Sequence, residues 1–348
     1  MRRLLNVYTL EQAEQWDAVV RSFSDYDTYY LSGYVKAFRL HGDGEPLLFY
    51  FDKNGTRGIN VVMKRDVSKD RHFCGKLEEN TWFDLATPYG YGGWLVEGDD
   101  TESLLAAYEA WCRRNGIISE FVRFHPVLKN HEKIAGGYEV IPLGEVVTMD
   151  LTSPEVIWSN ISSKNRNVIR KAQKNGITIY SGRYPEIYET FRGIYNGTMD
   201  KDHADPYYYF APEFYDSVCK DLPQNAQVFY AVLEDKVIAA SIMLACRGHM
   251  NYHLSGSVRE FAHLAPSNLL LYEAALWGCA NGCKTLYLGG GVGSGEDSLF
   301  KFKRAFYRGD DLLRFHIGKK IFDQTRYDAL LAMRDPQPEG GFFPKYRA

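Results

Sequence analysis

The densest positive charge in the sequence lies in the stretch SSKNRNVIRKAQKNG, from Ser162 to Gly176. Helical spacing places Arg166 and Arg170 on one face, with Lys174 one turn further along. Lys and Arg on one helix face suit the phosphates of RNA, so this pattern predicts an RNA-binding surface. A merely solvated face is the alternative, because runs of charge usually have that meaning.

A group of five glycines follows a predicted strand in the second half of the chain: Gly289, Gly290, Gly291, Gly293 and Gly295. Glycine lets the backbone come close to a ligand, and a phosphate or a ribose is a natural occupant of such a loop. The pattern is not a Walker sequence. A flexible hairpin-like loop is an equally good interpretation.

Both features lie in the second of two similar halves. LLAAYEAWCRRNGIISEFVRFHP, around Trp111, corresponds to LLLYEAALWGCANGCKTLYLGGG, around Trp277. Each stretch reads as an apolar helix that ends at Asn-Gly, where the glycine supplies a left-handed C-cap, and then as an apolar strand. The matching spacing of Trp, Asn and Gly favours duplication over chance similarity.

The segments before these helices also correspond. Leu47–Lys64 and Gln227–Ala245 each read as two strands around a polar turn, and a further strand follows at Trp82–Ala86 and at His249–Gly256. The shared order of hairpin, strand, helix and strand predicts two mixed α/β domains. We place them at residues 1–150 and 151–335, followed by a tail at 336–348.

The composition excludes several classes of protein. The chain has 348 residues, 45% of them hydrophobic, which allows more than one buried core. Its 41 Lys and Arg against 44 Asp and Glu give no global charge for coating nucleic acid, so RNA contact must be local. The six scattered cysteines favour reduced thiols over a metal site. With no signal peptide and no apolar run long enough to span a bilayer, we expect a cytoplasmic protein.

The predicted element order resembles the Gcn5-related acyltransferase (GNAT) fold. In such enzymes a glycine-containing loop between strand and helix presents backbone N–H groups to the pyrophosphate of coenzyme A. Here the loop in the second half reads VREFAHLAPSNLLL, where Ser267 is expected to be the N-cap, and lacks that glycine pair. In the first half, Asp99 and Asp100 stand where a pyrophosphate has to lie. Neither half therefore looks built for coenzyme A.

Four stretches resemble the Fem-type peptidoglycan aminoacyltransferases, which have two such domains. They are YYLSGYVKAF, FVRFHP, the basic stretch at Ser162–Gly176, and LYLGGGVGSGEDSLFKFKRAF at Leu286–Phe306. The resemblance spans nearly the whole chain. Residues 177–226 contain no long heptad pattern, so we expect no counterpart of the long helical arm that some members insert.

The resemblance implies a reaction and its partners. An aminoacyl-tRNA is the expected donor and co-substrate, with no other cofactor. The acceptor is an amine on the stem peptide of a muramyl-pentapeptide precursor, either nucleotide-linked or lipid-linked. Because the ester is already activated, the enzyme must mainly align two substrates, remove a proton and stabilise an oxyanion. A lipid-linked precursor also implies peripheral contact with a membrane. The basic stretch is then expected to bind the tRNA. The precursor binds to the first domain and the donor tRNA to the second.

In the motif FKFKRAF, the resemblance places Lys303 beside the acceptor end of the tRNA, with Phe302 as its neighbour. A fixed ammonium there can neutralise phosphate or stabilise the oxyanion. The alternative is a solvated charge run of Lys301, Lys303 and Arg304 between core phenylalanines.

In the first domain the resemblance assigns the precursor to basic residues near Lys36 and Arg123, with Tyr89 and Tyr91 along the same surface. His125 stands where the family usually has aspartate, and a neutral imidazole can accept a proton from the attacking amine. A histidine before proline is also commonly structural. Near Tyr207–Tyr209, where the family has a phosphate-binding arginine, only Lys201 is present, which leaves the acceptor's identity open.

Two other functions remain compatible with the sequence. One is an acyl-coenzyme A-dependent N-acyltransferase that acts on an amino sugar or a polysaccharide precursor. The other is a non-catalytic protein that binds tRNA or a cell-wall precursor, because direct attack on an ester needs no diagnostic triad.

Overall fold

The computed structural model of the protein describes residues 4–336 and 340–348. It contains two compact units: unit 1 consists of Met1–Leu143 with Phe315–Ala348, and unit 2 of Gly144–Arg314. The sequence-based division differs from this, because it assigns residues 315–335 to the second domain. The reason is that a strand beginning at Leu313 pairs with a strand of unit 1, a long-range pairing that local patterns do not reveal.

The strands of the described residues are β1 (Leu5–Tyr8), β2 (Glu45–Lys53), β3 (Thr56–Asp66), β4 (Phe83–Ala86), β5 (Leu95–Glu97), β6 (Ile117–Arg123), β7 (Glu139–Asp150), β8 (Thr178–Gly182), β9 (Ala226–Leu233), β10 (Lys236–Cys246), β11 (His249–Ser257), β12 (Thr285–Gly289) and β13 (Leu313–Ile321). The helices are α1 (Ala13–Arg21), α2 (Ser32–His41), α3 (Thr101–Arg114), α4 (His131–Ile134), α5 (Pro154–Asn160), α6 (Ser163–Lys174), α7 (Pro185–Lys201), α8 (Pro212–Asp221), α9 (Pro266–Ala280), α10 (Ser298–Arg304) and α11 (Gln324–Ala332).

The sheet of unit 1 has the strand order β1-β2-β3-β4-β6-β13, and β5 pairs with β3. Strands β2 and β3 form the predicted hairpin, with Asn54 and Gly55 in the left-handed conformation that a tight turn requires. Strand β4 runs parallel to β6, and α3 connects the two. The core contains Phe49, Trp94 and Tyr108.

The sheet of unit 2 repeats this plan, with the order β7-β12-β11-β10-β9-β8. Strands β9 and β10 form the hairpin, β11 follows antiparallel to β10, and β11 is parallel to β12 across α9. The predicted fold class, two mixed α/β units with the same element order, is confirmed. The longest helix among the described residues is α7, with 17 residues, so they contain no long helical arm.

The C-terminal ends of α3 and α9 agree with the sequence prediction, whereas the N-terminal end of α9 does not. Helices α3 and α9 have Asn115 and Asn281 as C-caps, and the glycine after each has a positive φ, as predicted. Helix α9, however, starts at Pro266 after Ala265 as N-cap, so the expectation that Ser267 is the N-cap was wrong. Proline suits the first helical position because it has no N–H to satisfy. Within the described residues, no helix is long and apolar enough to span a bilayer.

Candidate active site

In unit 2, the ammonium group of Lys303 lies inside the protein rather than in solvent. The residue is 8% exposed on α10, and its Nζ donates a hydrogen bond of 2.7 Å to the carbonyl oxygen of Gly290. Lys301, two residues earlier on the same helix, is exposed. The alternative of a solvated charge run is therefore wrong for Lys303, although it describes Lys301.

Burial lowers the pKa of Lys303 from 10.5 to about 8, and Asp297 opposes this effect by attracting the charged form. The cause is desolvation, which disfavours the ammonium. A lysine with this pKa is still mainly protonated at pH 7, and it can exchange its proton near neutral pH. Titration close to the working pH is typical of groups that act in catalysis.

The glycine-rich loop after β12 is folded tightly around this lysine. Gly289 has a φ of +82°, and a Cβ at that position would lie 3.4 Å from Nζ of Lys303. A Cβ at Gly291 would come within 2.3 Å of Oδ1 of Asp297. Asp297 caps α10 by accepting from the N–H of Phe300 at 2.8 Å and also accepts from the N–H of Val292 at 3.2 Å. The glycines thus allow the loop and α10 to enclose the amine.

Phe302 is half-buried and packs edge-on against Phe306, with 5.6 Å between the ring centroids. Phe306 belongs to the core of unit 2 and Phe302 lies against that core. Phe302 therefore has a packing role in unit 2 and precedes Lys303 on α10.

The basic stretch forms α6 as predicted, with Ser162 as its N-cap. Arg170 is exposed and its guanidinium lies 5.0 Å from the ring centroid of Trp158. Arg166 is half-buried and donates to the carbonyl oxygen of Trp158 at 3.3 Å, whereas Lys174 is exposed. Arg170 and Lys174 are thus the more accessible cations of the predicted RNA-binding face.

In unit 1, the predicted residues Tyr89 and Tyr91 belong to a group of packed rings that we call the aromatic cluster: Tyr29, Tyr34, Phe38, Tyr89, Tyr91 and Phe315. Tyr29 packs edge-on against Tyr91 at 5.6 Å, and Phe38 stacks on Tyr89 at 5.5 Å. Strand β4 leads into the loop that carries Tyr89 and Tyr91, while α2 supplies Tyr34 and Phe38.

Arg123, at the end of β6, is held against this cluster. Its Nε donates to the carbonyl oxygen of Gly90 at 2.9 Å, and its guanidinium lies 5.0 Å from the ring centroid of Phe315 and 5.7 Å from that of Tyr91. The hydrogen bond found for this side chain among the described residues uses Nε, so the terminal nitrogens can serve an anionic ligand. Lys36 lies on the exposed side of α2 and is not a buried member of the cluster.

His125 is completely buried, and both of its ring nitrogens are engaged. Nδ1 accepts from the N–H of Leu128 at 3.2 Å, so Nε2 carries the proton and donates to Oδ2 of Asp27 at 2.8 Å. The ring also packs edge-on against Tyr29 and Tyr91. A general base needs a nitrogen within reach of the substrate. The arrangement instead fits a residue that anchors the aromatic cluster.

The sequence interpretation missed several residues that the structure brings to these sites. Asp297 was recognisable, because Asp three positions before Phe300 is a helix N-cap pattern. Asp27 and Phe315 were not, because each meets its partner from a distant part of the chain. Tyr287, whose ring lies near the Gly289 position, looked like an ordinary strand residue.

The comparisons with known proteins agree with this fold. Residues 163–304 match the family described as Acetyltransferase (GNAT) domain. The sequence matches no curated protein. Among solved structures, FemX is similar with a TM-score of 0.68 and 14% identity, over 93% of this chain and 99% of that one.

Two further structures are similar in fold. A conserved protein of unknown function from Bacteroides thetaiotaomicron has a TM-score of 0.59 and 8% identity, over 90% of this chain and 98% of that one. The C-terminal domain of a putative lysylphosphatidylglycerol synthetase from Agrobacterium fabrum has a TM-score of 0.55 and 14% identity, over 89% and 91% of the two chains. The chain therefore shares the fold of FemX, and its residues 163–304 match the model of the GNAT domain.

Proposed function

We propose that the protein is an aminoacyltransferase that moves an amino acid from aminoacyl-tRNA to the stem peptide of a muramyl-pentapeptide precursor. The acceptor amine attacks the ester carbonyl and an amide bond forms. The bond to the ribose oxygen of the tRNA breaks, and the proton lost by the amine ends on that oxygen or in solvent. Such a reaction takes place in the cytoplasm, where charged tRNA and the precursor are made.

The observation that most supports this proposal is the buried amine of Lys303, enclosed by a glycine-rich loop within an acyltransferase fold. An ammonium fixed by the Gly290 carbonyl is preorganised to stabilise the oxyanion that develops on the ester. Because the amine already lies in the protein, it needs little reorganisation when the charge appears.

The acceptor site in this proposal is the aromatic cluster with Arg123. The rings offer flat apolar faces to sugar and peptide groups, and the guanidinium offers a planar fork of donors to a diphosphate or a carboxylate. Lys36, exposed on α2, adds a positive charge. Nucleotide-linked and lipid-linked precursors share this chemistry, and the lipid-linked form adds peripheral membrane contact.

The donor in this proposal is tRNA, and no cofactor is needed. Helix α6 supplies accessible cations for RNA phosphates. The start of α9, where GNAT enzymes bind pyrophosphate, has a proline at the first helical position and thus one N–H fewer. The missing N–H argues against coenzyme A as the donor.

A reconstituted assay tests the donor. We expect transfer to the muramyl-pentapeptide to be abolished by ribonuclease and restored by charged tRNA. Acetyl-coenzyme A should neither serve as donor nor raise the Tm, since a ligand that binds the native state stabilises it by mass action.

The match to an acetyltransferase family supports one rival, an acyl-coenzyme A-dependent N-acyltransferase that modifies an amino sugar. Ribonuclease-resistant transfer from an acyl-coenzyme A establishes that rival instead. Tight binding of tRNA or precursor without any transfer identifies a non-catalytic binding protein.

A further inference from the structure

The last residues of the chain are built into the interior of unit 1. Tyr346 is fully buried, and its ring packs edge-on against Tyr327 and Phe73 at 5.2 and 6.1 Å. Arg334 donates to the carbonyl oxygens of Tyr346 and Ala348, at 2.7 Å each. This segment is therefore held on several sides, although it has little secondary structure of its own. We call Tyr346 and Arg347 the terminal clamp.

The polar groups of the terminal clamp converge on Asp84, a fully buried residue of β4. The Tyr346 hydroxyl donates to Oδ2 of Asp84 at 3.0 Å, and Nε of Arg347 donates to the same oxygen. Nε of Arg65 donates to Oδ1 at 2.7 Å. Burial alone raises the pKa of this carboxyl, but the two arginines outweigh it, so the pKa of Asp84 is lowered.

The terminal clamp also reaches the neighbouring strand. The hydroxyl of Tyr346 lies 2.9 Å from Oγ of Ser119 on β6, and Asp84 and Ser119 are direct partners in the parallel pairing of β4 with β6. This pairing covers four residue pairs and has an irregularity between Phe83 and Asp84. A short, irregular parallel pairing is weak, so a side-chain bridge between β4 and β6 helps to fix the register of the two strands.

The same two strands carry the candidate acceptor site at their ends. The N–H of Thr87 donates to the carbonyl oxygen of Phe121, and the N–H of Arg123 donates to Oγ1 of Thr87, at 3.0 and 3.2 Å. The N–H of Gly92 donates to the carbonyl oxygen of Arg123 at 2.8 Å. The position of Arg123 relative to the loop with Tyr89 and Tyr91 thus depends on the register of β4 against β6.

We propose that the terminal clamp positions the acceptor site of unit 1 by locking β4 and β6 together through Asp84 and Ser119. Tyr346 and Arg347 act through the strands and are positioning residues. This inference rests on the proposed function for its substrate, but its structural part can be measured without any substrate.

The variant Tyr346→Phe tests the proposal, because it removes the bridging hydroxyl and keeps the packed ring. We expect the KM and the Kd for nucleotide-linked muramyl-pentapeptide to rise about fivefold, the loss typical of one buried hydrogen bond. The kcat and the KM for charged tRNA should stay the same. Hydrogen exchange of the Thr87 and Gly92 amides should become faster.

Tyr108→Phe is the matched control. Tyr108 is also a fully buried tyrosine of unit 1, and its hydroxyl contacts Asn60 of β3 and Glu120 of β6, so it does not bridge β4 and β6. This control should lower the Tm without changing the precursor KM or the exchange at Thr87 and Gly92. Arg347→Lys, which keeps the charge but loses the fork between Asp84 and Asp70, should repeat the Tyr346→Phe pattern at smaller amplitude.

Unchanged exchange at Thr87 and Gly92 in Tyr346→Phe overturns the proposal, and so do equal effects of Tyr346→Phe and Tyr108→Phe on the precursor KM. If the wild-type protein binds no muramyl precursor, the proposed function fails, and the exchange measurement still decides the role of the terminal clamp.

Discussion

Lys303 in unit 2 and His125 in unit 1 are both buried titratable residues, but their surroundings differ. Both nitrogens of His125 have partners, and one of these partners is the carboxylate of Asp27. The amine of Lys303 donates to a single backbone carbonyl, and the ion pairs of the described residues do not include it. A buried titratable group whose polar atoms all have partners is typical of a structural role. A buried charge with few partners is typical of a functional site.

The largest expected effect is at Lys303. Lys303→Met should lower kcat/KM by about 10²–10³, because it removes a preorganised electrostatic interaction. Lys301→Met, on the exposed side of the same helix, is the matched control and should be nearly silent. Single-turnover transfer from charged tRNA measures both. If both variants have equal, small effects on kcat/KM, Lys303 has no catalytic role.

The same variant should gain stability rather than lose it. In the folded protein the lowered pKa of Lys303 means that the ammonium is disfavoured, which costs up to about 3 kcal/mol when the lysine is charged in the unfolded chain. This cost is complete below pH 8 and disappears as the pH rises towards 10.5. Lys303→Met should therefore raise the Tm more at pH 7 than at pH 10, as calorimetry can check.

Arg123 should give the next largest change. Arg123→Ala removes a charge-assisted hydrogen bond to the ligand, so the Kd for the muramyl precursor should rise roughly 10–100-fold. Arg39→Ala, an exposed arginine of α2, serves as control. Calorimetric titration measures the binding. If Arg123→Ala leaves the Kd unchanged, the precursor binds at another site.

The pH dependence of transfer distinguishes two roles for Lys303. If its ammonium stabilises the oxyanion, the rate falls as the pH rises through about 8, by about tenfold per unit above it. Lys303→Arg should move this fall to higher pH, because arginine stays protonated. A wild-type rate that instead increases through pH 8 identifies the neutral amine as a base.

Helix α6 should have a moderate effect, confined to tRNA. Replacing Arg166, Arg170 and Lys174 with Gln should weaken tRNA binding and reduce the log–log salt slope by about 0.7–0.9 for each RNA phosphate that is no longer neutralised. Lys171→Gln, on another face of the same helix, is the control. Filter binding at several salt concentrations measures the slope. An unchanged slope shows that these side chains of α6 face solvent and do not contact tRNA.

His125 should have the smallest effect on chemistry. His125→Asn removes the imidazole that donates to the buried carboxylate of Asp27, which costs about 3 kcal/mol and lowers the Tm by roughly 5–10 °C. The kcat of the folded fraction should change less than about twofold, since a structural residue touches no reacting atom. A large loss of kcat with a normal Tm restores His125 as a catalytic candidate.

The sequence was sufficient to predict the features that depend on local pattern. The hairpin at Asn54–Gly55, the helix ends at Asn115 and Asn281, and the repeated order of elements all follow from turn chemistry and periodicity. It could not predict the burial of Lys303, because the motif reads equally well as a solvated run. That burial depends on a loop that folds back through Asp297.

Pairings between distant segments were also beyond local reasoning. The hydrogen bond of His125 with Asp27 and the packing of Arg123 on Phe315 depend on the tertiary fold. A prediction that divides the chain linearly also cannot place β13 beside β6, because an entire unit separates them in sequence.

This return of the chain has a consequence for protein synthesis. Nearly all of unit 2 is synthesised before β13, so most of unit 2 can begin to fold while unit 1 is still incomplete. At about 5–20 residues per second, translation of the intervening segment takes roughly 10–30 s. During this time one edge of β6 has no covering strand, and an open edge invites pairing with other chains. We therefore expect the nascent chain to depend on chaperones and to aggregate when translation stalls within unit 2.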